Sequence, residues 1–264
     1  MIIYENEKLP KGIEEKIIID SHKDFQPITS YTLVNGCVDE YFYKKLNMAK
    51  IQSRYKGNYA SLLIRYYESL QKYVLCNKLC GLIAKDNELF EISKRIDESR
   101  ILCDNRIVLY KEMKWIFEKA LEGIQSLEFS HEKNIGIDSS IWNYSKDGLL
   151  FDFDPPKILE NDTLFVAPND LDQKKRTIYR SFNYEGMRTN SLATIILGNS
   201  AWNFKIKDIP HNYLEELIDI MLQSIENKDK ANAVRNLIYD ENEINDFNNH
   251  PIKIIRKELR KNEK

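Results

Sequence analysis

Apolar and polar positions change their period several times along the chain. Residues 1–26 show no sustained period and predict an irregular or partly stranded lead-in. Two β-prone runs follow, Y-T-L-V and E-Y-F-Y-K-K-L, on either side of Asn35-Gly36, a dipeptide that predicts a hairpin turn there. In the second run Tyr41, Tyr43 and Lys45 share one face, while Phe42, Lys44 and Leu46 share the other. Lys44 thus stands between apolar neighbours on the expected buried side. Residues 58–80 switch to helical spacing, with Tyr59, Leu62, Leu63, Tyr66, Tyr67, Leu70, Tyr73 and Val74 on one stripe. Core packing is the simple account of that tyrosine stripe. G-L-I-A-K-D-N-E-L-F-E-I-S and R-I-L-C-D-N-R-I-V-L-Y-K-E-M alternate like strands. A second helix is predicted over 114–129, with Trp115, Phe117, Ala120, Leu121, Ile124 and Leu127 inward. N-I-G-I-D, I-W-N-Y and L-L-F-D-F read as short strands, with a turn at S-K-D-G. From about residue 170 the pattern is mostly helical, clearest in T-N-S-L-A-T-I-I-L-G and in N-Y-L-E-E-L-I-D-I-M-L-Q-S-I, whose start Pro210 and Asn212 suit. The basic amphipathic tail from His250 predicts a solvated terminal helix. The order predicts an α+β chain: a small sheet-rich lobe, then a larger helical one, without the alternation of a doubly wound fold.

Composition narrows the partners more than it changes this picture. With 264 residues the chain has room for two lobes. Its 15 Tyr, 11 Phe and 3 Trp supply enough buriable surface to argue against general disorder. A formal net charge of −2 and the lack of a basic stripe argue against a nucleic-acid partner. No apolar run approaches the roughly 20 residues of a membrane helix, so no membrane partner is expected. No secretory leader is evident at the N-terminus, and a cytoplasmic location is the expectation. The four cysteines, Cys37, Cys76, Cys80 and Cys103, lack the neighbouring ligands of a metal site and read as buried or incidental thiols.

The chemistry concentrates in G-I-D-S-S-I-W-N-Y-S-K-D-G-L-L-F-D-F-D-P-P, residues 136–156. Asp138 and Asn143 form D-x-x-x-x-N; a hairpin and then D-F-D at Asp152–Asp154 follow. This arrangement resembles the catalytic loop and metal-binding motif of protein kinases, nearest to the aminoglycoside-phosphotransferase-like small-molecule kinases. The resemblance implies a two-lobed protein-kinase-like fold, with a β-rich nucleotide-binding N-lobe over 1–112 and a mainly helical C-lobe over 113–264. It implies ATP or GTP as donor, Mg²⁺, and a small-molecule hydroxyl acceptor. Polyphosphate needs a hard divalent cation to spread its charge, and carboxylate and amide oxygens suit that cation. Asp138 would then be the catalytic base, and Asn143 and Asp152 metal ligands. Asp154 is a rival or auxiliary to Asp152.

The resemblance also assigns upstream residues. Lys44, with Lys45 as alternative, matches the strand lysine that contacts donor phosphates, and Glu68 on the tyrosine-rich helix is its candidate ion-pair partner. R-I-V-L-Y-K-E-M matches the strand entering the hinge, where backbone around Glu112 and Met113 would meet a purine edge. The chain departs from the pattern at three points: a single glycine, Gly36, in the hairpin; Gly136 where the family usually has His; and Asp154 where it has Gly. The activation segment and A-P-E motif of protein kinases are absent, and His131 lies too far upstream to replace the missing His. These departures keep open a nucleotide- or partner-binding pseudokinase. A metal-dependent nuclease using Asp138, Asp152 and Asp154 is a third class, disfavoured by the charge balance.

Overall fold

A computed structural model describes residues 1–22, 32–49, 58–97, 106–130, 135–152, 157–160, 163–164, 183–201, 204–240 and 250–262. Among them the chain is mixed α+β, with seven helices and a five-stranded antiparallel sheet. It divides into two compact units. The first holds Met1–Lys72 and Cys76–Glu98; the second holds Tyr73–Leu75 and the described residues from Arg106 onward.

The sheet of the first unit contains β1 (Ile2–Glu5), β2 (Thr32–Val38), β3 (Tyr41–Leu46), β4 (Leu79–Lys85) and β5 (Glu88–Lys94), in the order β1-β4-β5-β3-β2. Alternation along β3 gives the two faces predicted from its sequence. On one face, Val34, Tyr41, Tyr43, Ile83, Phe90 and Ile92 pack with Ile13, Ile17 and Ile18 of α1 (Ile13–Ser21). The other face carries Lys44, Leu46, Leu82 and Glu91, all buried. Helix α2 (Tyr59–Tyr73) buries Tyr59, Leu63, Tyr66, Tyr67 and Leu70, most of its predicted stripe. It stops at Tyr73 rather than running to residue 80, because Leu79 and Cys80 already belong to β4.

Two hairpins close this sheet, and neither turns at Asn35-Gly36. β4 and β5 join through Asp86 and Asn87, both at positive φ (50° and 65°), which suits a tight two-residue turn. β2 and β3 join at Asp39, also at positive φ (54°), and Glu40. Gly36 instead lies within β2 opposite Tyr43. A Cβ there would lie 2.7 Å from the Tyr43 hydroxyl and 2.9 Å from Asp20 Oδ2. Glycine at this position leaves room for the Tyr43 O–H to donate to Asp20, at 2.8 Å. The lead-in expected to be irregular or partly stranded over 1–26 contains strand β1, and helix α1 departs from that expectation.

In the second unit, α3 (Tyr110–Phe129) is the central helix, with Met113, Ile116, Phe117, Ala120, Ile124 and Leu127 fully buried. Strand β6 (Arg106–Leu109) pairs in parallel with β10 (Phe204–Lys207). That pairing puts β6 in this unit and corrects the lobe boundary expected at residue 112. β7 (Ile135–Gly136), β8 (Lys157–Glu160) and β9 (Thr163–Leu164) form a small antiparallel sheet. Helix α4 (Tyr184–Ala201) packs against α3 and against α5 (Tyr213–Gln223). It also packs against α7 (His250–Asn262), which in turn meets α6 (Lys228–Tyr239). The tail is therefore docked through Ile252 and Ile255 rather than freely solvated. No helix among the described residues is long and apolar enough to cross a membrane.

Candidate functional site

The segment 137–152 has little regular structure of its own and is shaped by local hydrogen bonds. A single 3-10 turn, Ile141–Asn143, forms as the Asn143 N–H donates to the Ser140 carbonyl at 2.9 Å. Tyr144 then bridges antiparallel to Leu150. The expected S-K-D-G turn lies between them. Gly148 takes positive φ (74°), its N–H donates to the Ser145 carbonyl at 2.8 Å, and the Ser145 hydroxyl donates to Asp147 Oδ1 at 2.8 Å. Across this hairpin the Phe151 N–H donates to the Asn143 carbonyl at 2.9 Å. Residues nine apart in sequence, Asn143 and Asp152, are thereby brought to adjoining backbone positions.

Helix α4 holds the same segment through polar side chains. The Ser139 hydroxyl donates to the Met187 carbonyl at 2.7 Å, and the Ser191 hydroxyl donates to the Ser139 carbonyl at 2.7 Å. The Ile141 N–H donates to Thr194 Oγ1 at 2.9 Å. Asn190 Nδ2 donates to the Ser139 hydroxyl at 3.2 Å. Asp138 is half-buried, and its Oδ1 accepts both the N–H (3.1 Å) and the hydroxyl (2.7 Å) of Ser140. Two donors on one oxygen fix the orientation of the carboxylate.

Asn143 is buried at 7% exposure. Asp152 is half-buried next in line. An amide oxygen and a carboxylate are donors that fit Mg²⁺, which commonly takes one or two protein ligands and keeps several waters. No group of three or more His, Cys, Asp or Glu able to hold a metal occurs among the described residues. Asp154 and His131 lie outside them.

In the first unit, Lys44 is buried at 8% exposure on β3 and faces Glu91 of β5 as its direct cross-strand partner. Glu91 is buried at 3% and accepts the hydroxyl of Tyr67 from α2. Glu68, one residue further along α2, is exposed, and its charge is felt by Tyr4, whose pKa is raised first by burial and then by Glu68. The structure therefore does not bring Glu68 to Lys44 as expected. A helix step of one residue turns the side chain by about 100°, so Tyr67 inward sets Glu68 outward. Lys45 points to the opposite face, paired with Glu88 at 2.5 Å and lying over the Phe90 ring.

The expected hinge strand is also corrected. β6 ends at Leu109, and Glu112 and Met113 lie in the first turn of α3. Glu112 Oε2 accepts the Leu109 N–H at 2.9 Å, and Met113 is fully buried in the core. Both residues serve the helix start, not an open backbone edge. The thiols of Cys76 and Cys80 are pushed up by burial to about 12 and about 11. No family model matches the chain, and no curated protein matches it in sequence.

Proposed function

We propose that the protein is an ATP- and Mg²⁺-dependent phosphotransferase acting on a hydroxyl group of a small molecule, with a two-lobed protein-kinase-like fold. The observation that carries this reading is the tight hairpin that joins the buried Asn143 to the residue before Asp152. The order of elements supports it: hairpin, helix, hairpin, long helix, polar loop, hairpin, then helices. Bound Mg²⁺ would neutralise charge on the donor phosphates. Asn143 and Asp152 would hold it, and Lys44 would contact the phosphates. Asp138, oriented by Ser140, would accept the proton of the acceptor hydroxyl as its oxygen attacks. Positioning and charge stabilisation would supply most of the rate. GTP is the alternative donor. A cytoplasmic setting belongs to the same reading, since its cofactor set is that of an intracellular enzyme.

Two positions favour a second reading, a pseudokinase that binds nucleotide or a partner without transfer: Gly136 stands where the family has His, and Asp154 where it has Gly. An acceptor panel screened for Mg²⁺-dependent ADP release separates the two. With a turned-over acceptor in hand, Asp138→Asn should lower kcat by about 10²–10⁴-fold, the usual contribution of a positioned base. Unchanged turnover in that variant refutes the assignment of Asp138. Nucleotide binding with no turnover across the panel favours the pseudokinase.

A further inference from the structure

We infer that Glu91 of β5 positions Lys44, in the place where the helix glutamate Glu68 was expected; the functional part of this inference rests on the phosphotransferase reading. Lys44 and Glu91 are directly opposed in the antiparallel β3–β5 ladder. Opposed residues project from the same face with Cβ atoms about 4.5–5.5 Å apart, close enough for long charged side chains to meet. Both are buried, at 8% and 3% exposure. The next pair along the same face is Leu46 with Leu89, and Leu82 of β4 is the other cross-strand neighbour of Glu91. A lone ammonium or carboxylate in that apolar setting is strongly disfavoured, whereas an opposed pair with added hydrogen bonds is tolerated. Tyr67 supplies such a bond to Glu91 Oε1 from α2. The helix thus contributes through a hydroxyl, and the carboxylate comes from the sheet. Glu91 is a positioning residue: it sets the ammonium in place on β3 without touching nucleotide.

The positioning is tested with Lys44→Met, Glu91→Gln and Glu68→Gln, by calorimetric titration of MgATP and of adenosine. Lys44→Met and Glu91→Gln should each weaken MgATP by about tenfold or more, as breaking a buried charge pair does, and leave adenosine nearly unchanged. Glu68→Gln should leave both unchanged. A phosphate-specific loss in Lys44→Met without one in Glu91→Gln overturns the positioning role while sparing the phosphotransferase reading. No change in Lys44→Met overturns the role of Lys44 in that reading. Nitrogen-15 and carbon-13 NMR of the wild-type chain covers the case in which Glu91→Gln does not fold or nucleotide does not bind. The Lys44 Nζ and Glu91 Cδ resonances should respond together to pH and to Tyr67→Phe. Independent responses overturn the pairing.

Discussion

Removing Arg188 tests whether the second unit depends on one buried charge network. Arg188 is fully buried on α4. Its Nη2 donates to Glu128 Oε2 of α3 at 2.6 Å and to the Ser224 carbonyl at 3.1 Å, and its Nε donates to the Ser224 hydroxyl at 3.1 Å. One guanidinium therefore ties the end of α3 to α4 and to the end of α5. Arg188→Met keeps most of the apolar stem but strands the Glu128 carboxylate, which is only 18% exposed, and removes two donors from Ser224. Breaking a buried pair in this way costs about 3–5 kcal/mol. The lower end applies here, because Lys230 Nζ remains 3.9 Å from Glu128. The native arrangement is itself imperfect: among the described residues Arg188 Nη1 is buried without a hydrogen-bond partner, a loss of about 1–3 kcal/mol. Replacing both partners, Arg188→Met with Glu128→Met, should therefore cost only about 0–2 kcal/mol, since apolar substitutes often match buried ion pairs. Trp115 and Trp142 fall in the second unit, so tryptophan fluorescence during urea unfolding reports on it. At a slope of about 2 kcal/mol/M the single variant should lower the midpoint by roughly 1.5 M. A single-variant loss under about 1 kcal/mol refutes the network's importance, judged against the same range for buried pairs. A double variant as unstable as the single shows that lost packing, not a stranded charge, is responsible.

Three further outcomes are expected. Gly36→Ala should destabilise the first unit by about 1–3 kcal/mol, because the new methyl displaces the Tyr43–Asp20 hydrogen bond; hydrogen exchange of β2 and β3 amides measures it, and Tyr43→Phe should relieve part of the loss. Glu216 is held below the usual 4.5 by hydrogen bonds from Lys114 Nζ (2.5 Å) and the Tyr110 hydroxyl (2.7 Å). A lowered carboxylate pKa means that its contribution is complete above pH 4.5 and fades as pH falls through the folded value, so Glu216→Gln should flatten the acid limb of Tm against pH. Native-state alkylation mapped by mass spectrometry should modify exposed Cys37, whereas Cys76 and Cys80 should react only on unfolding, since burial raises both thiols and suppresses the thiolate.

Elements with a strong local signal were legible in the sequence. The S-K-D-G turn forms where expected, because Gly148 takes the left-handed backbone that such a turn needs. The long helix starts four residues before its predicted Lys114 yet buries most of the predicted face. Helix α5 starts at Tyr213, just after Asn212. Errors arose where tertiary structure overrode the local pattern. Asn35-Gly36 carries a hairpin signal, but its glycine answers the close approach of Tyr43 and Asp20, one of them far along the chain. Helix α1 is only nine residues long, too short for its isoleucines to establish a period. The candidate site was drawn from a motif, and its structural support was not legible. Nothing local to the motif names Asn190, Ser191 or Thr194 as the support of Ser139 and Ile141, although polar side chains clustered in T-N-S-L-A-T are a usable signal. Likewise Lys44 and Glu91 are joined by strand pairing across a long sequence separation, which no periodicity reveals.

Thermal unfolding with and without nucleotide and Mg²⁺ tests the nucleotide–metal assignment of Asn143 and Asp152 most directly. A ligand that binds only the native state must stabilise it, by about 2.7 kcal/mol at a hundredfold excess over Kd. ATP or GTP at millimolar concentration should raise Tm in the presence of Mg²⁺, with a smaller rise after chelation. Asn143→Ala and Asp152→Asn should each remove the Mg²⁺-dependent part. No shift with any nucleotide, with or without Mg²⁺, contradicts both the phosphotransferase and the pseudokinase readings.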